Sequence, residues 1–135
     1  MKRHRIIVAG GRNFDNYERL EYALLETIKG LNKSDIEIVS GECNTGVVTH
    51  VRMGGKMICG ADGLGERFAS IHGLPVKPMP ADWANNGRAA GPIRNKQMAE
   101  YGTRLVCFWD DKSKGTKDMI KCAEKACIPV DVIYY

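Results

Sequence analysis

Short apolar runs rich in β-branched residues alternate with segments of helical period along this 135-residue chain, and no other feature restricts its fold as strongly. Arg5–Ala9, Ile36–Val39, Val76–Met79, Leu105–Trp109 and Val130–Tyr134 read as five short, buried strands. Between the first two, Tyr17–Lys29 carries an apolar face at Leu20, Ala23, Leu24 and Ile28 and is closed by Gly30. Ala61–His72 reads as a helix with Asp62 as its N-cap and Gly73 just past its end. Pro92–Tyr101 has proline in its first turn and Gly102 after its last, and Lys117–Cys127 forms a further helix. This order predicts an α/β protein of one domain, with a mostly parallel five-stranded sheet and helices on both faces.

One stretch breaks the rhythm. Cys43–Cys59 separates the second strand from its helix, with Val47, Val48, Val51 and Met53 before Gly54-Gly55 and Lys56, Met57 and Ile58 after it. Two β-prone runs about a Gly-Gly pair predict a hairpin-like insertion. Connections of this length serve as lids, binding loops or contact arms, or are plain surface excursions.

Composition removes several function classes. Hydrophobic residues at 44% and charged residues at 27% supply a core and argue against disorder. The longest apolar runs fall far short of the roughly 20 residues of a membrane span. The basic start, Lys2-Arg3-His4-Arg5, leads into a strand with no signal-peptide core behind it, so the expectation is a cytoplasmic protein with no membrane partner. A net charge of +4 is mild for a duplex-DNA binder, though it suits a smaller anionic partner. The five cysteines are odd in number, lack a Cys-x-x-Cys pair and suit a reducing compartment. His4, His50 and His72 do not supply zinc spacing, so neither a metal nor a bound cofactor is expected.

In an open parallel sheet, ligands sit beyond the carboxyl ends of the strands, where the strand order reverses. Four segments fall at such ends: Gly10-Gly11-Arg12-Asn13-Phe14; Ser40-Gly41-Glu42 with Gly60-Ala61-Asp62; Pro80–Trp83 running on to Gly91-Pro92-Ile93-Arg94-Asn95; and Asp110–Thr116. Glycine lets backbone amides approach an anion, and the first turn of a helix has unpaired amides to offer. Cations there are unusual, because the amino end of a helix is already positive. Yet Arg94 and Lys96 fall in the first turns of one helix, and Lys112, Lys114 and Lys117 crowd another. A bound phosphate would relieve that repulsion, as would surface carboxylates or solvent; Ser40, Ser113 and Thr116 add hydroxyl donors. Neither Gly-x-Gly-x-x-Gly nor a Walker A sequence occurs, which argues against a hydride-transfer enzyme or an ATPase. Trp83 and Trp109 can stack on a base or pack in the core. Glu42, Asp82, Asp110 and Asp111 can accept sugar hydroxyls or simply face solvent. Asp62 can act as a helix cap or as a catalyst.

Taken in order, Gly10–Phe14, Ser40-Gly41, Gly60-Ala61-Asp62, Pro80–Trp83, Ala90–Asn95, Phe108-Trp109-Asp110 and Ser113–Thr116 resemble the YspA-like family of the SLOG superfamily. That superfamily also holds the DNA-processing protein DprA and the lonely guy phosphoribohydrolases, and many members occur in bacteria and phages. The resemblance covers nearly the whole chain. It implies a Rossmann-like three-layer α/β/α fold, a pocket for a nucleotide or nucleotide-derived small molecule, and self-association into a homo-oligomer. Two departures stand out. Family members join Ser-Gly to Gly-Ala-Asp by only a few residues, where this chain carries Cys43–Cys59. The lonely guy enzymes place a catalytic Glu three residues after the Gly-Thr, where this chain has Met119; Asp118 is one residue early, on a different side of the helix.

The leading expectation is therefore a sensor or sequesterer in which Gly10, Gly11, Ser40, Gly41, Gly115 and Thr116 hold phosphate or ribose. Arg12, Arg94 and Lys114 balance its charge, Trp83 stacks on a base, and Glu42, Gly60, Asp62, Gly91, Asn95 and Ser113 complete the ligand-binding set. The alternative is a hydrolase of an N-glycosidic or phosphoribosyl bond, with Arg94 orienting the substrate and Asp118, Glu42 or Asp62 as its carboxylate. A third reading, single-stranded nucleic-acid binding, is the least favoured because charge and aromatic residues are sparse.

Overall fold

Side chains that alternate across the strands divide the interior into two cores, one on each face of a central sheet. The computed structural model describes residues 1–41, 52–53, 56–57 and 60–135. The sheet strands are β1 (His4–Gly10), β2 (Ile36–Ser40), β5 (Val76–Pro78), β6 (Arg104–Trp109) and β7 (Val130–Tyr134). They lie in the order β5-β2-β1-β6-β7, and every pairing is parallel. The sheet is thus wholly parallel, where the sequence pointed to a mostly parallel one. Among the described residues, no helix is long and apolar enough to cross a membrane.

On one face, Ile6, Val8, Ile36, Ile38, Val106 and Phe108 meet two helices, α1 (Tyr17–Ile28) and α2 (Gly60–His72). On the other, Ile7, Ala9, Val39, Leu105 and Cys107 meet α4 (Ala90–Tyr101) and α5 (Lys114–Lys125). With helices on both sides, the architecture is the Rossmann-like three-layer α/β/α arrangement. Helix α1 forms where apolar residues recur at a spacing of four: Leu20, Leu24 and Ile28 are buried, and the Asn16 side chain caps the start by accepting from the Arg19 N–H at 3.1 Å. Burial pushes the Cys107 thiol up to about 12, so it packs as a small apolar group.

Several boundaries depart from the sequence reading. Helix α5 begins at Lys114 and not Lys117, because the Ser113 hydroxyl caps it, accepting from the Thr116 N–H at 3.4 Å. Helix α4 starts two residues before Pro92, and α2 starts at Gly60, so Asp62 lies inside the first turn and is not its cap. Trp83 opens a short helix, α3 (Trp83–Asn86), capped by Asp82, in a stretch read as a loop. Glu42, Cys43 and most of the 43–59 excursion lie outside the described residues. Within that excursion β3 (Arg52–Met53) and β4 (Lys56–Met57) pair antiparallel.

Candidate functional site

The chain leaves β1 for β2 on one side and later returns through β6 on the other, so the strand order reverses between β1 and β6. Neighbouring connections diverge at such a switch point and open a crevice beyond the carboxyl ends of the strands. A cavity of about 670 Å³ occupies that position. Its lining includes thirteen of the sequence-derived candidates: Gly10, Gly11, Arg12, Gly60, Asp62, Trp83, Gly91, Arg94, Asn95, Ser113, Lys114, Gly115 and Thr116.

The floor is built by close backbone approach. A Cβ on Gly10 would stand 2.4 Å from the Phe108 carbonyl oxygen of the adjacent strand. Gly60 has φ +55, and a Cβ there would lie 2.5 Å from both the Arg12 Cα and the Gly11 carbonyl oxygen. The first turn of α2 consequently rests directly on the loop after β1, and the Ala61 N–H donates to the Gly11 carbonyl at 3.2 Å. The first three residues of α2, of α5 and, at Gly91-Pro92, of α4 all face the cavity. Three helix amino ends therefore converge on one space; those of α2 and α5 bring peptide N–H groups that intrahelical bonding cannot satisfy, whereas at α4 the Ala90 N–H donates to the Gly87 carbonyl and Pro92 has none.

A hydrogen-bonded chain fixes the polar wall. Arg94 donates from Nη1 to the Gly41 carbonyl at 2.6 Å and from Nε to Asn95 Oδ1 at 3.1 Å. Asn95 is buried, and its Nδ2 donates to Asp118 Oδ2 at 2.9 Å and to the Gly115 carbonyl at 3.4 Å. Arg94 and Asn95 together thus tie the residue after β2 to the start of α5. Asp118, placed by sequence spacing on another side of its helix from the Glu position, does face the cavity; so does Met119. The Asp62 carboxyl is pushed up to about 6, chiefly by burial; the Glu66 carboxylate adds to the rise, while Arg94 and Arg12 oppose it.

Ser40 and Gly41 stand behind the lining. The buried Ser40 hydroxyl donates to Glu66 Oε2 at 3.0 Å, which anchors α2, and the Gly41 carbonyl holds Arg94. No side chain fits at position 41, since a Cβ would lie 2.5 Å from Arg94 Nη1. Glu42 lies outside the described residues. Trp83 is 45% exposed and stands against Gly91 at the rim of the cavity, so it is not a core residue. Trp109 and Asp110 shape the site from behind: the indole N–H donates to the Ser113 carbonyl at 3.0 Å, and Asp110 Oδ1 accepts from the N–H groups of Lys112 and Ser113, both at 2.9 Å. Those two bonds hold the Asp110 carboxyl below its ordinary range. Lys96 points away and approaches Glu100 at 4.0 Å. Asn13 lines the cavity although sequence reasoning left it out of the candidate set. Among the described residues, no three His, Cys, Asp or Glu side chains cluster as metal ligands.

No family model matches the chain, and no solved structure does. The chain is similar to the Gene 61 protein of Mycobacterium phage D29, at 36% identity over 77 residues, which cover 53% of this chain and 62% of the phage protein. A relative is thus encoded by a phage, and the chain matches less than two thirds of its length.

Proposed function

We propose that the crevice binds the phosphate and sugar of a nucleotide or nucleotide-derived small molecule, and that the protein senses or sequesters that compound. One observation carries the reading: three helix amino ends and the cations Arg12, Arg94 and Lys114 converge on a single cavity at the switch point of a parallel sheet. The anion sits at Ser113–Thr116, where the main-chain N–H groups of Lys114 and Gly115 open α5, and Lys114 supplies charge from the rim. Trp83 offers its face to the base, and the carboxylates of Asp62 and Asp118 accept ribose hydroxyls. This assignment agrees with the resemblance to the YspA-like branch of the SLOG superfamily. Equilibrium binding of the four nucleoside 5′-monophosphates and ribose 5-phosphate tests it. Micromolar binding by one of them, weakened at least tenfold by Lys114→Ala, is the expected result. No binding by any of them, at concentrations to several millimolar, would overturn it.

One observation favours a second reading. A carboxyl held near 6 inside a ligand cavity is suited to proton transfer near neutral pH, and Asp62 is such a group. In a hydrolase of an N-glycosidic bond it would activate water while Arg94 orients the substrate. Release of free base from a bound nucleotide, abolished by Asp62→Asn with binding retained, would establish that activity. Binding with no turnover leaves the sensor.

A further inference from the structure

The loop after β1 is held by a residue far away in sequence. Tyr135 follows β7, and its N–H donates to the Trp109 carbonyl at 3.2 Å. Its ring stands edge-on to Phe14, centroids 4.9 Å apart, and Phe14 in turn stacks on Phe108 at 4.6 Å. The phenol reaches over Gly11: a Cβ there would fall 1.8 Å from the Tyr135 oxygen. From this position Tyr135 Oη donates to Asn13 Oδ1 at 2.6 Å.

That bond decides which end of the Asn13 amide is free. Burial, with the carboxylates of Asp110 and Asp15, raises the Tyr135 phenol above its ordinary value, so it stays protonated. With Nδ2 in place of Oδ1, the phenol oxygen would accept from the amide and its own proton would turn to solvent. In the structure the amide places its oxygen on the tyrosine. Its Nδ2, which has no hydrogen-bond partner among the described residues, remains as a two-proton donor on a side chain that lines the cavity.

We propose that Asn13 is a ligand-binding residue that donates from Nδ2 to an anionic oxygen of a phosphorylated ligand, and that Tyr135 is the positioning residue that aims it. The inference rests on the proposed phosphate-and-sugar site. It adds a neutral donor from the loop after β1 to a cavity that the first residues of α5 also line. A donor of this kind takes an oxyanion and leaves a cationic or purely apolar ligand without a partner.

Substitution separates aiming from mere bracing. Asn13→Asp still offers an oxygen to Tyr135, so it keeps the brace, but it replaces the donor with negative charge. Asn13→Ala removes both, and Tyr135→Phe keeps the ring on Phe14 while releasing the amide. The test is nitrogen-15 NMR of the labelled protein, titrated with inorganic phosphate and with ribose 5-phosphate, with dissociation constants measured for each variant. The Asn13 side-chain amide signals are expected to shift on addition of ribose 5-phosphate. Loss of a hydrogen bond to a charged group weakens binding about tenfold in Asn13→Ala. Asn13→Asp should weaken it further, and Tyr135→Phe by about threefold, an intermediate effect because the amide is still present but no longer aimed. A response to phosphate as strong as to the sugar phosphate would identify the anion alone as what Asn13 reads. Backbone shifts at Ser113–Thr116 with a silent Asn13 amide, or wild-type affinity in Asn13→Asp, would overturn the inference and leave the site standing. No shift anywhere with either probe, together with no binding of any nucleoside 5′-monophosphate, would remove the site itself, and the inference with it.

Discussion

Gly60 is where the candidate site depends most directly on a single missing methyl group, and its replacement by alanine has two separable costs. The left-handed backbone at φ +55 disfavours any side chain by about 1–2 kcal/mol. The new Cβ would also press to 2.5 Å from the Arg12 Cα and the Gly11 carbonyl oxygen, which are backbone and cannot swing aside. Overpacking of that kind adds about 1–3 kcal/mol, for a total of about 3 kcal/mol. Gly73 supplies the control. It has φ +67, at the other end of the same helix, but nothing lies within 4 Å of where a Cβ would stand, so Gly73→Ala should cost only about 1 kcal/mol. Thermal unfolding followed by circular dichroism reads the difference. At roughly 4 °C per kcal/mol for a chain of this size, Gly60→Ala should melt about 8 °C below Gly73→Ala. Equal midpoints for the two variants would refute the reasoning, because α2 would then not rest on the loop after β1, and the floor of the crevice would not be built as described.

Three further outcomes follow from the same geometry. Asp62 is raised from 3.8 to about 6, so the folded state binds its proton more tightly than the unfolded one; its contribution is fully present below about pH 4 and is lost as pH rises through 6. Denaturant titrations across that window should show stability falling with pH in the wild type and a flatter profile in Asp62→Asn. Glu21 shifts the other way: hydrogen bonds first to His72 and then to Tyr17 hold it below 4.5, so its contribution is present above 4.5 and lost as pH falls through its lowered value. Glu21→Gln should remove that acid limb. Ser113→Ala, which deletes the cap of α5, should cost about 1 kcal/mol in chemical denaturation and weaken binding of any anion at that turn.

The sheet and its helices were legible in the sequence because each strand is a short β-branched run and each helix presents a periodic apolar face. The exceptions have local causes. Helix α5 hid its true start because Lys114 and Gly115 read as loop residues, and only the Ser113 hydroxyl makes them the first turn. Helix α3 is four residues long, and its asparagines resemble turn residues as much as helical ones. Thirteen candidates reached one cavity since strand-end glycines and helix starts must converge at a switch point. Asn13 was harder to find, because its orientation depends on Tyr135, 122 residues away, which no local pattern announces. Asp118 shows the same limit: spacing along the helix set it apart from the lonely guy glutamate, while its bond to Asn95 and its place in the cavity depend on a second helix. Ser40 and Gly41, which the sequence offers as phosphate or ribose contacts, also brace the wall, Ser40 through a bond to Glu66 and Gly41 through one from Arg94.

The most direct test of the central claim is mass spectrometry of the small molecules that accompany the gently purified protein, repeated on the Arg94→Ala, Thr116→Ala double variant. A compound with a nucleotide-like mass that accompanies the wild type and is absent from the variant is the expected result. Wild-type protein that carries no such compound, and recovers none after incubation with cell extract, would contradict the account.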